Sequence, residues 1–95
     1  MFLLSLTYLA PFEEIEPLMA PHMAWVDAHY QSGHFLFSGR KVPRTGGLLL
    51  ARADSRAAIE AIVAADPFAQ AGAVQYDITE FTPTRVSSGA EAWLG

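Results

Sequence analysis

From Phe2 to Leu9 the side chains fall on two alternating faces, Phe2, Leu4, Leu6 and Tyr8 on one and Leu3, Ser5, Thr7 and Leu9 on the other. Period-two alternation is the signature of a β-strand, and here neither face carries a charge. Pro11 ends the run. Glu13, Glu14 and Glu16 then gather where the positive end of a helix dipole favours carboxylates. Pro17 and Pro21 divide the next stretch into a short helical turn and a main helix from about Leu18 to Ser32. Met19, Met23, Val26 and Tyr30, at i, i+4, i+7 and i+11, form its expected apolar stripe. Gly33 suits its C-terminal stop.

His34 to Val42 reads as a second strand with Phe35, Leu36 and Phe37 as its core, and Pro43 to Gly47 as a turn. Gly47 to Ala53 reads as a third strand, which Leu48, Leu49 and Leu50 leave without a polar face. Asp54 or Ser55 caps a second helix whose buried face is Ile59, Ile62 and Val63. Pro67 ends that helix, because the residue before a proline avoids helical angles. Ala73 to Phe81 is the fourth strand, with Val74, Tyr76 and Ile78 on one face and Gln75, Asp77 and Thr79 on the other. Pro83 stops it. Residues 1–85 make one domain, and 86–95 are a tail of small residues that closes on the apolar pair Trp93–Leu94.

The order βαββαβ is that of a ferredoxin-like α+β fold, an antiparallel sheet with both helices on one face. In that topology the first and third strands are central, and both are apolar on both faces. Helices cover only one face, and the other would leave a larger apolar patch than a soluble monomer usually shows. The expected remedy is a homodimer, sheet face against sheet face, forming a dimeric α/β-barrel.

Composition narrows the function. At 95 residues with 52% hydrophobic content, the chain is sized for a single core. No apolar run approaches the ~20 residues of a transmembrane helix, and Met1–Leu6 lacks the basic lead-in and small-residue cleavage site of a signal peptide, so a cytoplasmic protein without a membrane partner is expected. The absence of cysteine excludes disulfides, thiol catalysis and cysteine-held metals. A net charge of −4 argues against nucleic-acid binding.

Three groups of residues carry candidate chemistry. His22, in Pro21-His22-Met23-Ala24-Trp25, lies roughly in line with Leu18, Trp25 and His29 on the main helix; it is either a helix-start histidine packed on Trp25 or a general base, since its ordinary pKa lies near neutrality. Asp66, in Asp66-Pro67-Phe68, sits where the second helix ends. A carboxylate there faces the negative end of the dipole, so it is either an ordinary Asp-Pro turn opener or a carboxylate that orients and charges a histidine. Ser38-Gly39-Arg40 forms the third group. Gly39 marks a bulge or a close backbone approach, and Arg40, Lys41 and Arg44 make either a charged edge that blocks aggregation or a small anion-binding rim. Tyr8 and Tyr76 read as core or dimer-interface aromatics, although a phenol near a pocket can donate a proton. Metal is not expected: His22 and His29 are separated by about 10.5 Å of helical rise. Gly46-Gly47 reads as a turn, since no helix comes after it as a phosphate loop requires.

These segments together resemble the YCII-related (YciI-like) family of small dimeric α+β proteins. The resemblance is carried by Pro21-His22-Met23-Ala24, by Gly33 before Phe35-Leu36-Phe37-Ser38-Gly39, by Ala65-Asp66-Pro67-Phe68 and by Ala71-Gly72 before the last strand. It implies a cofactor-free enzyme related in fold to muconolactone isomerase, with a catalytic His22–Asp66 pair and a substrate pocket walled by Ser38 and Gly39; Arg40 and Phe68 adjoin these motifs as further substrate-binding candidates. Elimination of chloride from a chlorinated hydroxyquinol is one activity attributed to the family. One departure stands out: the family often has Gly-Pro where this chain has Gly39-Arg40, which alters the charge of the pocket.

Two functions compete on these residues. In the first, His22 is the acid–base group of a cofactor-independent lyase or isomerase acting on a small molecule, Asp66 sets its tautomer, and Arg40 holds an anionic or phenolic oxygen. In the second, the chain is a non-catalytic dimeric module that binds a ligand or a protein, with Trp93 and the tail as a contact. A heme-binding barrel with His22 and His29 as ligands has no further support in the sequence.

Overall fold

Strand β1 (Phe2–Tyr8) lies at the middle of a four-stranded antiparallel sheet, as its two uncharged faces anticipate. In this computed structural model it pairs with β3 (Gly46–Ala51) on one side and β4 (Val74–Glu80) on the other, while β2 (Phe35–Arg40) closes the far edge against β3. The strand order β2-β3-β1-β4 is the ferredoxin-like one. The structure describes residues 1–93; Leu94, Gly95 and the side chain of Trp93 lie outside the described residues, and with them the apolar pair at the tail's end.

Register decides which face each residue takes. Leu4 stands opposite Leu49 and Ile78, and Ser5 opposite Leu48 and Asp77. Phe2, Leu4, Leu6, Leu49, Ala51 and Val74 therefore share the inner face, where they are buried with Ile15, Trp25, Val26, Ile59 and Val63. Burial of this apolar area is the main force holding the helices to the sheet.

The helical layer begins with α1 (Phe12–Ile15), passes through a 3-10 turn (Glu16–Leu18) and continues as α2 (Met19–Gln31). The buried face of α2 is not the stripe expected from Met19, Met23, Val26 and Tyr30: Met23 and Tyr30 are exposed, and His22, Trp25 and Val26 are buried. The helix is turned so that the line through His22 and Trp25 meets the core, because the large indole both fills the inner face and donates its Nε1–H to the Ile62 carbonyl at 3.1 Å. Gly33, at φ +83°, ends the helix by letting the His34 N–H reach the His29 carbonyl at 3.0 Å.

In β2 only Phe35 is buried, and Phe37 is half exposed, so the expected Phe35-Leu36-Phe37 core is reduced to one residue. A register irregularity between Phe35 and Phe37 turns Phe37 to the outer face. β3 starts at Gly46, one residue earlier than expected. Ser55 caps α3 (Arg56–Ala64), its hydroxyl accepting from the Ala58 N–H at 3.1 Å. The chain does not simply stop at Pro67: a further helical turn, α4 (Pro67–Gln70), begins there.

Candidate functional site

Asp66 owes its position to Pro67. The proline keeps Asp66 extended and supplies the first residue of α4, a position that needs no N–H. Asp66 is thus the N-cap of α4, not a carboxylate facing the C-terminal dipole of α3, and the dipole cost expected at a helix C-terminus is absent. Its Oδ1 accepts the Phe68 N–H at 3.0 Å, the usual capping bond. The side chain is fully buried.

The same Oδ1 lies 2.7 Å from His22 Nδ1, across the helical layer from α4 to α2. A carboxylate oxygen only accepts, so the ring carries its proton on Nδ1. His22 Nε2 then remains without a hydrogen-bond partner among the described residues, on a ring that lines a cavity. Phe68 stacks on the imidazole at 3.9 Å between centroids and 10° between planes, and Trp25 flanks it at 5.6 Å. Helix position, carboxylate and stacking together leave the ring one orientation.

The other oxygen, Oδ2, accepts the Tyr76 hydroxyl at 2.5 Å. Tyr76 reaches it from β4, where it stands opposite Leu6 on the inner face. Burial, the hydrogen bond to Asp66 and the carboxylate's charge all push the phenol well above its ordinary pKa. The sequence offered a faint signal for this contact, a phenol alternating with Val74 and Ile78 on an otherwise apolar strand face; the reading of Tyr76 as a core aromatic omits its polar partner.

The cavity holds about 310 Å³, at the small end of ligand pockets. Its floor and walls include Leu6, Tyr8, His22, Ser38, Arg40 and Phe68. Ser38 and Arg40 stand opposite Leu49 and Gly47, on the inner face of β2 near its end. Gly39 also lines the cavity, but a Cβ there would meet nothing within 4 Å. The Gly39 carbonyl oxygen would lie 3.1 Å from a Cβ added at Gly47, and a tighter approach falls at Gly46, whose added Cβ would lie 1.9 Å from the Leu6 carbonyl oxygen.

The three basic residues of the β2–β3 region part company. Lys41 Nζ donates to Thr7 Oγ1 at 3.1 Å, and the Arg44 guanidinium sits 4.6 Å over the Phe12 ring. Arg40 alone of the three lines the cavity, with no bonded partner among the described residues. At the far end of α2, His29 Nδ1 lies 3.3 Å from His34 Nδ1 rather than near His22. Burial, and then the neighbouring His34, hold the His29 pKa below its ordinary value.

A ferredoxin-like sheet with a small cavity under its helical layer defines the architecture, and the family model for the YCII-related domain matches residues 1–82. The chain belongs to the YCII-related family. Among solved structures, it is similar to the 5-chloro-2-hydroxyhydroquinone dehydrochlorinase of Burkholderia phenoliruptrix AC1100, solved in complex with 2,5-dihydroxybenzoquinone. That likeness has a TM-score of 0.71 at 19% identity and covers 86% of this chain and 94% of the other; it speaks to the fold. No curated protein matches the sequence.

Proposed function

We propose that the protein is a cofactor-independent enzyme of the lyase or isomerase type that acts on a small, oxygen-rich molecule, with His22 as its acid–base group. The observation that carries this reading is the bond from His22 Nδ1 to the buried Asp66, which leaves Nε2 as the ring nitrogen for the cavity. A carboxylate behind an imidazole selects the tautomer with a free Nε2 lone pair and stabilises the imidazolium that forms. Nε2 takes a proton from a substrate hydroxyl or from a carbon next to a carbonyl. In an isomerisation the same nitrogen returns that proton to a different atom. In an elimination the electron pair left behind forms the new double bond, the leaving group departs as an anion, and the ring gives its proton to water.

Arg40 would hold the anionic oxygen of the substrate, and the Ser38 hydroxyl a second polar atom, while Phe68 would form an apolar wall for the substrate's flat face. The structural neighbour's complex with a dihydroxybenzoquinone supports a ligand of similar size and polarity. The exposed outer sheet face, with Leu3, Phe37 and Leu48, supports a homodimer built through it.

The test is a screen of hydroxylated aromatics, halogenated hydroquinones and lactones, monitored by absorbance in metal-free buffer. Turnover by the native chain and a loss of about 10²–10⁴-fold in kcat for His22→Ala, with Arg40→Ala raising KM for anionic substrates, would support the reading. Saturable binding with no turnover by any of them would turn it toward a binding module.

A further inference from the structure

Asp66 is a fully buried carboxylate whose only titratable cationic neighbour among the described residues is His22. Three donors surround it: His22 Nδ1 and the Phe68 N–H on Oδ1, and the Tyr76 hydroxyl on Oδ2. The donors come from α2, α4 and β4. They are not equivalent. The Phe68 amide belongs to the local cap of α4, two residues on from Asp66. The Tyr76 bond ties β4 to the residue that caps α4, a hydroxyl donating to a carboxylate oxygen.

We infer that Tyr76 is a positioning residue for the His22–Asp66 pair: it holds the carboxylate so that Oδ1 faces His22, and by drawing charge onto Oδ2 it sets how strongly Asp66 favours a protonated His22. Bonds on both oxygens fix the carboxylate plane more firmly than the two bonds on Oδ1 alone. The phenol and the imidazole also compete for the same negative charge, since hydrogen bonds to one oxygen weaken the other oxygen as a partner for a cation. Without Tyr76 the charge facing His22 is larger, and the ring keeps its proton to higher pH. With it, less of that charge faces the imidazole, and the ring is the weaker base. A merely structural clasp between β4 and α4 would change stability and leave the titration of His22 alone.

The inference rests on reading His22 as the acid–base group, but its test does not need catalysis. The His22 ring is titrated by ¹⁵N–¹H NMR in the full, substrate-free chain, as wild type and as Tyr76→Phe, each with and without Asp66→Asn. The expected result is a His22 midpoint raised by about 0.5–1 pH unit in Tyr76→Phe, with no such change once Asp66 is Asn. A second measurement keeps the fold intact: 3-fluorotyrosine at position 76, a stronger donor of the same shape, should lower the midpoint. A midpoint that does not move, that moves down in Tyr76→Phe, or that moves equally in the Asp66→Asn background would overturn the inference. Failure of the functional reading would look different, as a native chain that turns over no substrate while these shifts are still observed.

Discussion

His22 and Asp66 stand 44 residues apart in the chain and 2.7 Å apart in the fold. Their meeting depends on α2 and α4 packing side by side over the same end of the sheet, and on Pro67 opening a new helical turn just where α3 closes. The pair is also buried, so its bonds bear on the stability of the fold as well as on the proposed chemistry.

That double role sets the first expectation. Asp66→Ala removes the acceptor of three donors at once, leaving the Tyr76 hydroxyl and the Phe68 amide unpaired in a buried region. It should destabilise the fold by about 3 kcal/mol, read as a lowered midpoint in urea denaturation. His22→Ala leaves both of those bonds in place and should cost less. Equal losses for the two variants would mean that the imidazole, not the carboxylate, is the centre of the network.

Much of this is legible in the sequence, for reasons that can be named. β1 and β3 announce themselves as central strands because Leu3, Leu4 and Leu48–Leu50 leave no polar face, and Asp66-Pro67-Phe68 marks its turn because proline restricts its neighbours. What escapes is rotational. The periodicity of α2 fits two overlapping stripes, one through Met23 and Tyr30 and one through His22 and Trp25. Only the packing of the indole against α3 decides between them. Tyr76 escapes because a phenol on an apolar strand face looks like a core aromatic until its partner, from another element, is in view. The outer-face turn of Phe37 comes from a register irregularity that hydrophobicity does not encode.

The alkaline limb of stability should belong to Tyr76. Its folded-state pKa is raised by burial and by Asp66 above the ordinary value of 10.0. A group whose folded pKa is raised contributes stability that is fully present below its unfolded pKa and is lost as pH climbs beyond it. Wild type should therefore lose stability above about pH 10 more steeply than Tyr76→Phe, in chemical denaturation at stepped pH. Parallel curves for the two proteins would remove Tyr76 as the cause.

The acid limb has a contribution from His29, packed at 5.5 Å from Trp25 and 5.2 Å from Phe35 with His34 beside it. Its folded pKa is lowered from 6.5. A depressed pKa contributes stability that is present above the unfolded value and lost as pH falls below it. Between about pH 7 and 5 the wild type should lose more stability than His29→Gln, the comparison cancelling the carboxylates common to both.

Gly46 should be the least replaceable glycine among the described residues. A Cβ there would press on the Leu6 carbonyl oxygen at 1.9 Å, inside the central strand pair that floors the cavity. Gly46→Ala should destabilise by about 2 kcal/mol or more, whereas Gly39→Ala, with nothing within 4 Å of its added Cβ, should stay within about 0.5 kcal/mol. Thermal melts of the two variants measured side by side decide the matter, and a tolerant Gly46 would show that β1 and β3 can separate locally without loss of the fold.

The outer sheet face carries the remaining expectation. Leu3, Leu48 and Phe37 are 37%, 41% and 50% exposed there, and Leu50 stands between Leu3 and Phe37 in register. A monomer would hold these side chains in water, at about 25 cal/mol for each Å² of apolar surface left uncovered. A twofold partner laid sheet to sheet would cover them, and it would bring each Leu48 close to the same face of the other copy. Leu48→Glu should then place like charges in an apolar interface and split the dimer, while a side chain that points away from the core leaves the monomer's circular dichroism unchanged. Light scattering at micromolar concentration should give twice the 10.3 kDa chain mass for wild type and the single chain mass for the variant. A wild type that scatters as a single chain would mean that this apolar face stays in water and that the cavity works within one subunit.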